Sequence, residues 1–344
     1  MREDWIDSLK GIAIILVVIA HLNFVSSELN QYIYSFHMPL FFFISGYLFN
    51  TEKYMNNGKV FFKRKVYSLI IPYLLLSAVT YIFYLIMDCI YQPEIQNIEI
   101  FQKGVLFNIY VVICSLSGYL INTSLWFLPC LFITESLFLI LRKDSKNEYN
   151  VLILIIFFSV IGFQYGNFIP FRMPWGIDIA FTGIVFHFAG NFFKRNYEDI
   201  LFKKGYSFIF VLFLIHLILS FTNPRVDMYK LVYNNYFLFY ASAFSGILVY
   251  IYVFKMTKGS KILTFYGKNS LAVLGFHYLI ISILKYLLPT LFEQFNLQIG
   301  EGMFFIINLF FTLLLIVPLI IITDKYFPYI AGKNRQMKEV KVKK

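Results

Sequence analysis

Charge is what this sequence has least of. Only 14% of its 344 residues are Asp, Glu, Lys or Arg, while 59% are hydrophobic and mean hydropathy is +0.69. A soluble domain carries about 25% charged residues, so this composition excludes one and describes a chain built for a bilayer. Cysteine is equally sparse. Cys89, Cys114 and Cys130 form no C-x-x-C and no metal-ligand spacing, which removes zinc-ribbon and thioredoxin-like classes. Cys89 and Cys114 flank one loop and could pair in an oxidising space, but they read first as apolar filling. The five histidines contain no H-E-x-x-H, and no Ser/His/Asp hydrolase motif is present. Neither half of the chain repeats in the other, which weighs against an inverted-repeat transporter. The first apolar run lacks a small-residue cleavage site and reads as a span, not as a removed signal. The formal charge of +11 is not a nucleic-acid footprint, because the basic residues fall between apolar segments in a topological pattern.

What is there is a succession of apolar runs, rich in Phe (42) and Tyr (26), as suits membrane interfaces and tight helix packing. Runs of this length predict membrane helices near 12–29, 36–50, 68–91, 125–142, 149–163, 177–193, 206–222, 236–256, 269–288 and 302–323. The expected fold is an all-α, polytopic membrane bundle of about ten transmembrane helices, with one domain over 1–330 and a basic tail over 331–344. An eleventh run, 104–121, is ambiguous. If it does not cross, most of the 30 Lys and Arg fall on one side. Only Lys103, Arg172, Arg225 and Lys230 then fall on the other, with Lys285 inside a helix. That asymmetry is the positive-inside pattern and places both termini in the cytoplasm. Segment 104–121 therefore reads as re-entrant or as lying on the outer interface, where it could cap or line a substrate cavity.

The informative stretch is Asp7 to Gly46. Two apolar segments there each carry a histidine, His21 and His37, and Lys10 sits at the mouth of the first. Ionisable groups in such runs cost several kcal/mol near the bilayer centre and are functional candidates by default. Lys10 and His21 are separated by roughly 16 Å along a helix and lie within about 20° of one face. This predicts Lys10 at one membrane surface and His21 near mid-depth, one to bind and one to react. A snorkelling lysine with an interhelical histidine is the plain alternative.

Other candidates follow along the chain. Lys63, Arg64 and Lys65 precede LIIPY; they are orientation charge in part, and also suit a phosphate clamp. Trp126 is an interface aromatic in LWFLPCLF, and Pro129 loosens the same helix. Glu135 is a mid-helix carboxylate that needs a partner, for which a basic group of the first three helices is the natural candidate. Asp178 opens the sixth helix from the outside. His187, His216 and His277 read individually as packed interhelical histidines.

DSLKGIAIILVVIAHL followed by FHMPLFFFISGYLF, with KRK before LIIPY and the later LWFLPCLF, resembles the acyltransferase-3 family of integral-membrane O-acyltransferases. The likeness is closest to the branch with Lys, not Arg, ahead of the first histidine, which modifies sugars of bacterial surface glycans. The resemblance implies a multi-pass protein of the bacterial cytoplasmic membrane, with acetyl-CoA as donor and co-substrate and no permanently bound cofactor. Its acceptor would be a sugar hydroxyl, and nucleic acid is no partner. On this basis His21, His37 and Glu135 are the catalytic candidates. Lys10, Lys63, Arg64 and Lys65 are the donor-binding candidates; KRK departs from the family's two spaced arginines, so Arg64 carries most weight. Trp126 and Asp178 are the acceptor-binding candidates. A glycan or lipid-linked-sugar exporter is the alternative.

Overall fold

The computed structural model describes residues 4–90, 103–116, 118–145 and 147–333. Arg2, Ser117, Lys146 and the basic tail beyond Lys333 lie outside the described residues. Among those described, regular structure is helical, apart from one isolated bridge between Asp227 and Val232.

The chain opens with α1 (Asp4–His21), α2 (Ser27–Tyr34), α3 (His37–Leu48), α4 (Thr51–Asn56) and α5 (Gly58–Lys65). A π-turn at Val66–Ile70 joins α5 to α6 (Ile71–Ile90), so that Gly58–Met87 is one continuous helical rod with a basic first part and an apolar stretch after it. Then come α7 (Val105–Cys114), α8 (Phe127–Asp144), α9 (Glu148–Phe168), α10 (Ile177–Asn196) and α11 (Glu198–Phe202). The last five are α12 (Tyr206–Thr222), α13 (Tyr236–Met256), α14 (Lys261–Lys268), α15 (Ser270–Gln294) and α16 (Glu301–Tyr326). Short 3-10 turns at Thr123–Trp126 and Pro174–Gly176 lead into α8 and α10.

Seven helices among the described residues are long and apolar enough to cross a membrane, fewer than the ten expected. The shortfall lies in α1, α3 and α12. Asp4, Asp7 and Lys10 break the apolar run of α1, α3 has 12 residues, and α12 has 17. A 12-residue helix is about 18 Å long, well short of the ~30 Å hydrocarbon core. The helix at 105–114 has 10 residues, or about 15 Å, and cannot cross alone. Its last turn is anchored by side chains: Tyr73 Oη donates to Val112 O at 2.7 Å and Trp175 Nε1 to Ile113 O at 2.8 Å. Such donors satisfy carbonyls that a helix ending in lipid would leave orphaned.

The chain divides into two compact units. The first comprises Met1–Asn56, Thr134–Phe171 and Asp178–Ser270; the second comprises Asn57–Ile133, Arg172–Ile177 and Leu271–Lys344. In the first unit, small residues let backbones touch. A Cβ on Gly11 would overlap the carbonyl of Leu263, and one on Gly267 would overlap the carbonyl of Asp7, so α1 and α14 cross in backbone contact. That crossing buries Asp7 and Ser8 to 1% and 0% exposure. The first helix consequently lies eight residues N-terminal to its expected position of 12–29. It stops at His21, and α2 starts afresh with the Ser26 side chain accepting from Leu29 N as its cap.

In the second unit, α6 and α15 approach closely at Gly275, where a Cβ would overlap Leu76. Tyr84 and Ser282 hydroxyls bond across the same pair at 2.8 Å. Asn122 Nδ2 donates to Gly275 O at 3.0 Å and Ser124 Oγ to Leu274 O at 3.1 Å, which ties the turn before α8 to α15.

Candidate active site

At one end of the first unit α1 finishes with His21 and α3 begins with His37. The His21 Nδ1 lies 2.8 Å from Val17 O, and the His37 Nδ1 lies 2.7 Å from Ile33 O. A carbonyl only accepts, so in both rings Nδ1 carries the proton and, in the neutral imidazole, Nε2 is the basic nitrogen. His37 is buried at 3% exposure, while His21 is half-buried and can be reached. Each ring lies within electrostatic range of Arg225; His21 also feels Asp227, and His37 feels His21.

Arg225 and Asp227 come from the loop between α12 and α13, joined by an Nη2–Oδ2 contact of 3.4 Å. Tyr34, at the end of α2, completes the group. Its ring stands edge-on to His37 with centroids 5.0 Å apart and carries the Arg225 guanidinium 3.9 Å above its centre. The loop is stiff for identifiable reasons. Asp227 and Val232 exchange both backbone bonds, at 2.7 and 3.0 Å. Asp227 Oδ1 accepts from Lys230 N, and Asn234 Nδ2 donates to Pro224 O and Arg225 O. Gln31 Nε2, on α2, donates to Asn223 O at 2.9 Å and to Ser220 O at 3.1 Å. Sequence reasoning singled out the two histidines but not Tyr34, Arg225 and Asp227, which the structure brings to them. The signal available was Arg225 itself, one of few basic residues on the sparsely charged side, followed two residues later by a carboxylate.

Lys10 is half-buried and stands six residues into α1. It is therefore about 9 Å from the helix start and about 16 Å short of His21. Along the helix, α1 begins six residues before Lys10 and ends at His21. The shared face is unchanged. At the start of α1, Trp5 packs edge-on to Tyr47 and carries the Lys255 ammonium 4.9 Å from its ring centre. Lys255 pairs with Glu198 at 2.8 Å, and Tyr47 Oη donates to the same carboxylate at 2.7 Å.

Glu135 is fully buried, and Ser45 Oγ on α3 donates to its Oε1 at 2.5 Å. One contact of this carboxylate is thus a hydroxyl from one of the first three helices. Asp178 is fully buried at the start of α10, its Oδ1 accepting from Ile179 N. His187, His216 and His277 are buried at 0% exposure, in keeping with packed interhelical histidines.

The second unit holds the remaining candidates. Lys63, Arg64 and Lys65 form the last turn of α5, with Lys63 and Arg64 exposed and Lys65 half-buried. Trp126 closes the 3-10 turn before α8, buried against Phe127 at 5.9 Å. The three cysteines are free thiols. Among the described residues no group of three His, Cys, Asp or Glu could hold a metal ion.

No curated protein and no solved structure matches the chain. The acyltransferase domain of the acyltransferase-3 family matches residues 3–323, nearly its whole length. Apolar helices able to cross a bilayer and this domain agree in describing one kind of molecule: the chain belongs to the acyltransferase-3 family and is a multi-pass membrane acyltransferase.

Proposed function

We propose that the protein is an O-acetyltransferase of the bacterial cytoplasmic membrane. It would move an acetyl group from acetyl-CoA to a sugar hydroxyl of a surface polysaccharide or its lipid-linked precursor. The observation that supports this reading best is the tautomer set by Val17 O on His21, with Asp227 in electrostatic range. His21 Nε2 takes the proton from the acceptor hydroxyl as its oxygen attacks the thioester carbonyl. The carbon–sulfur bond breaks, and the departing thiolate receives that proton from the imidazolium. Asp227 offsets the transient positive charge on His21, and His37 orients the acceptor or His21 itself.

The donor reaches the chain from the end of the first unit where α1 begins, passing Lys10 on its way to His21. Lys63, Arg64 and Lys65 are the further candidates for donor phosphates, with Arg64 foremost. Trp126 and Asp178 are the candidates for the acceptor. In the first unit, Lys194 and Lys255 lie against the aromatic groups at the start of α1, while Arg225 lies with the histidines. That polarity supports a cytoplasmic N-terminus and a histidine site toward the outer face.

The test uses the full chain in nanodiscs with labelled acetyl-CoA. Wild-type protein should hydrolyse or transfer the label, and His21→Ala should lose turnover while still inserting and binding donor. Turnover at the wild-type rate in that variant would remove His21 from the mechanism. Failure of the wild type to bind any short acyl-CoA would favour glycan export.

A further inference from the structure

At the start of α1 the first unit contains an open cavity of about 430 Å³. Lys258, Lys261 and Lys268 line it, with Asp4, Ser260 and Thr264. Lys268 Nζ pairs with Asp4 Oδ1 at 3.2 Å, which neutralises one of the three ammonium groups. Lys258 and Lys261 meet no carboxylate among the described residues, so among those residues the cavity presents two positive charges without an ion pair. We propose that this cavity binds a phosphate group carried by a larger ligand.

The floor of the cavity is built and rigid. Ser8, fully buried on α1, accepts from Ser260 N at 3.0 Å and shares a hydrogen bond with Thr264 Oγ1 at 2.7 Å. Gly259 sits at φ +82°, and a Cβ there would overlap the Ser8 hydroxyl. Only glycine fits that position, so the short turn is locked onto α1 with Lys258 on one side and Lys261 on the other. The backbone is fixed while the lysine side chains are exposed and long, so two point charges can close on one anion. The first turn of α14 has no side-chain cap, which leaves its amides on the same side as a further source of positive potential. The volume exceeds what an inorganic ion needs and suits a phosphate attached to a nucleoside or to a glycerol backbone.

Both sources share that chemistry. An acyl-CoA donor brings a 3′-phosphate and a diphosphate; an anionic lipid brings a headgroup phosphate. The nucleotide source rests on the acetyl-CoA reading above, whereas the phosphate site does not. The probe for the first source is adenosine 3′,5′-bisphosphate, titrated by equilibrium dialysis onto the full chain in phosphatidylcholine nanodiscs. Changing Lys258→Gln and Lys261→Gln together should weaken binding by about tenfold or more, as expected for two charge-assisted contacts. The Lys258→Arg and Lys261→Arg pair should keep most of it, which separates charge from a folding defect. For the second source, retention of phosphatidylglycerol through purification is measured by native mass spectrometry on the same variants. Retention that depends on the two lysines, with no nucleotide binding, supports the phosphate site and names lipid as its source. If neither probe depends on Lys258 and Lys261, the proposal is overturned. Acetyl-CoA turnover that needs His21, found together with that double failure, would overturn the phosphate site while leaving the acetyltransferase reading intact.

Discussion

The Arg225 guanidinium lies 3.9 Å above the centre of the Tyr34 ring. These residues are 191 positions apart, yet the stack sets a cation beside both histidines and holds Asp227 within reach of it. A cation over an aromatic face gains about 0.5–2 kcal/mol, and a planar guanidinium stacks better than an ammonium. Arg225→Gln should therefore lower kcat by roughly tenfold, a loss of about 1.4 kcal/mol of transition-state stabilisation, with little change in donor KM. Arg225→Lys should recover part of it. A purely structural Arg225 would instead lower the unfolding temperature of both variants and leave kcat per folded molecule unchanged.

Glu135 and Ser45 form a second pair that can be dissected. The 2.5 Å contact is short enough for a hydroxyl donating to a carboxylate. Glu135→Ala removes the acceptor and should cost about 1–3 kcal/mol of stability, the range for a buried hydrogen-bonding group left unmade. Glu135→Gln keeps an acceptor oxygen and should cost less. Thermal unfolding in detergent reads both, and a cycle with Ser45→Ala isolates the coupling. Loss of turnover in Glu135→Gln at unchanged stability would move Glu135 from scaffold to catalytic group.

How much of this could be read from the chain depends on the element. The helices at 206–222 and 236–256 were legible to the residue, because Gly205 and Asn235 interrupt continuous apolar runs and Asn235 caps α13 through Leu238 N. The position of α1 was not. Asp7 and Ser8 look like surface residues in sequence, and only the Gly11–Gly267 crossing with α14 buries them. Once that happens, the helix starts earlier and Ser26 is left to cap a separate one. His21 and His37 stood out because ionisable groups in apolar runs are conspicuous. Arg225 and Asp227 did not, because a loop charge has no pattern until Gln31 and the Asp227–Val232 bridge fold it back over α2.

Arg64 offers a test of whether the basic turn of α5 does more than orient the chain. Lys63 and Arg64 are exposed, so they can meet a soluble anion without first breaking a buried pair. Arg64→Ala should raise donor KM several-fold, an effect that shrinks as salt is added, since exposed charges are screened over about 8–10 Å. Acceptor KM should change far less. Equal changes in both constants would assign Arg64 to membrane orientation alone.

The backbone crossing of α1 and α14 makes a prediction about folding that is independent of chemistry. An added methyl at Gly11 has no space, since it would enter the Leu263 backbone, which cannot rotate aside as a side chain can. Overpacking of this kind costs about 1–3 kcal/mol or forces the two helices apart. Separation would also strip Ser8 from Ser260 and Thr264. Gly11→Ala should thus lower the unfolding temperature and weaken the turn that carries Lys258 and Lys261. Gly302→Ala is the matched control. Nothing lies within 4 Å of a Cβ at that position, in the first turn of α16, and replacing a helical glycine by alanine gains up to about 1 kcal/mol. The two substitutions add the same methyl to helical glycines, so opposite signs in their unfolding temperatures would trace the difference to the crossing. Equal small shifts would mean that α1 and α14 are not held in backbone contact.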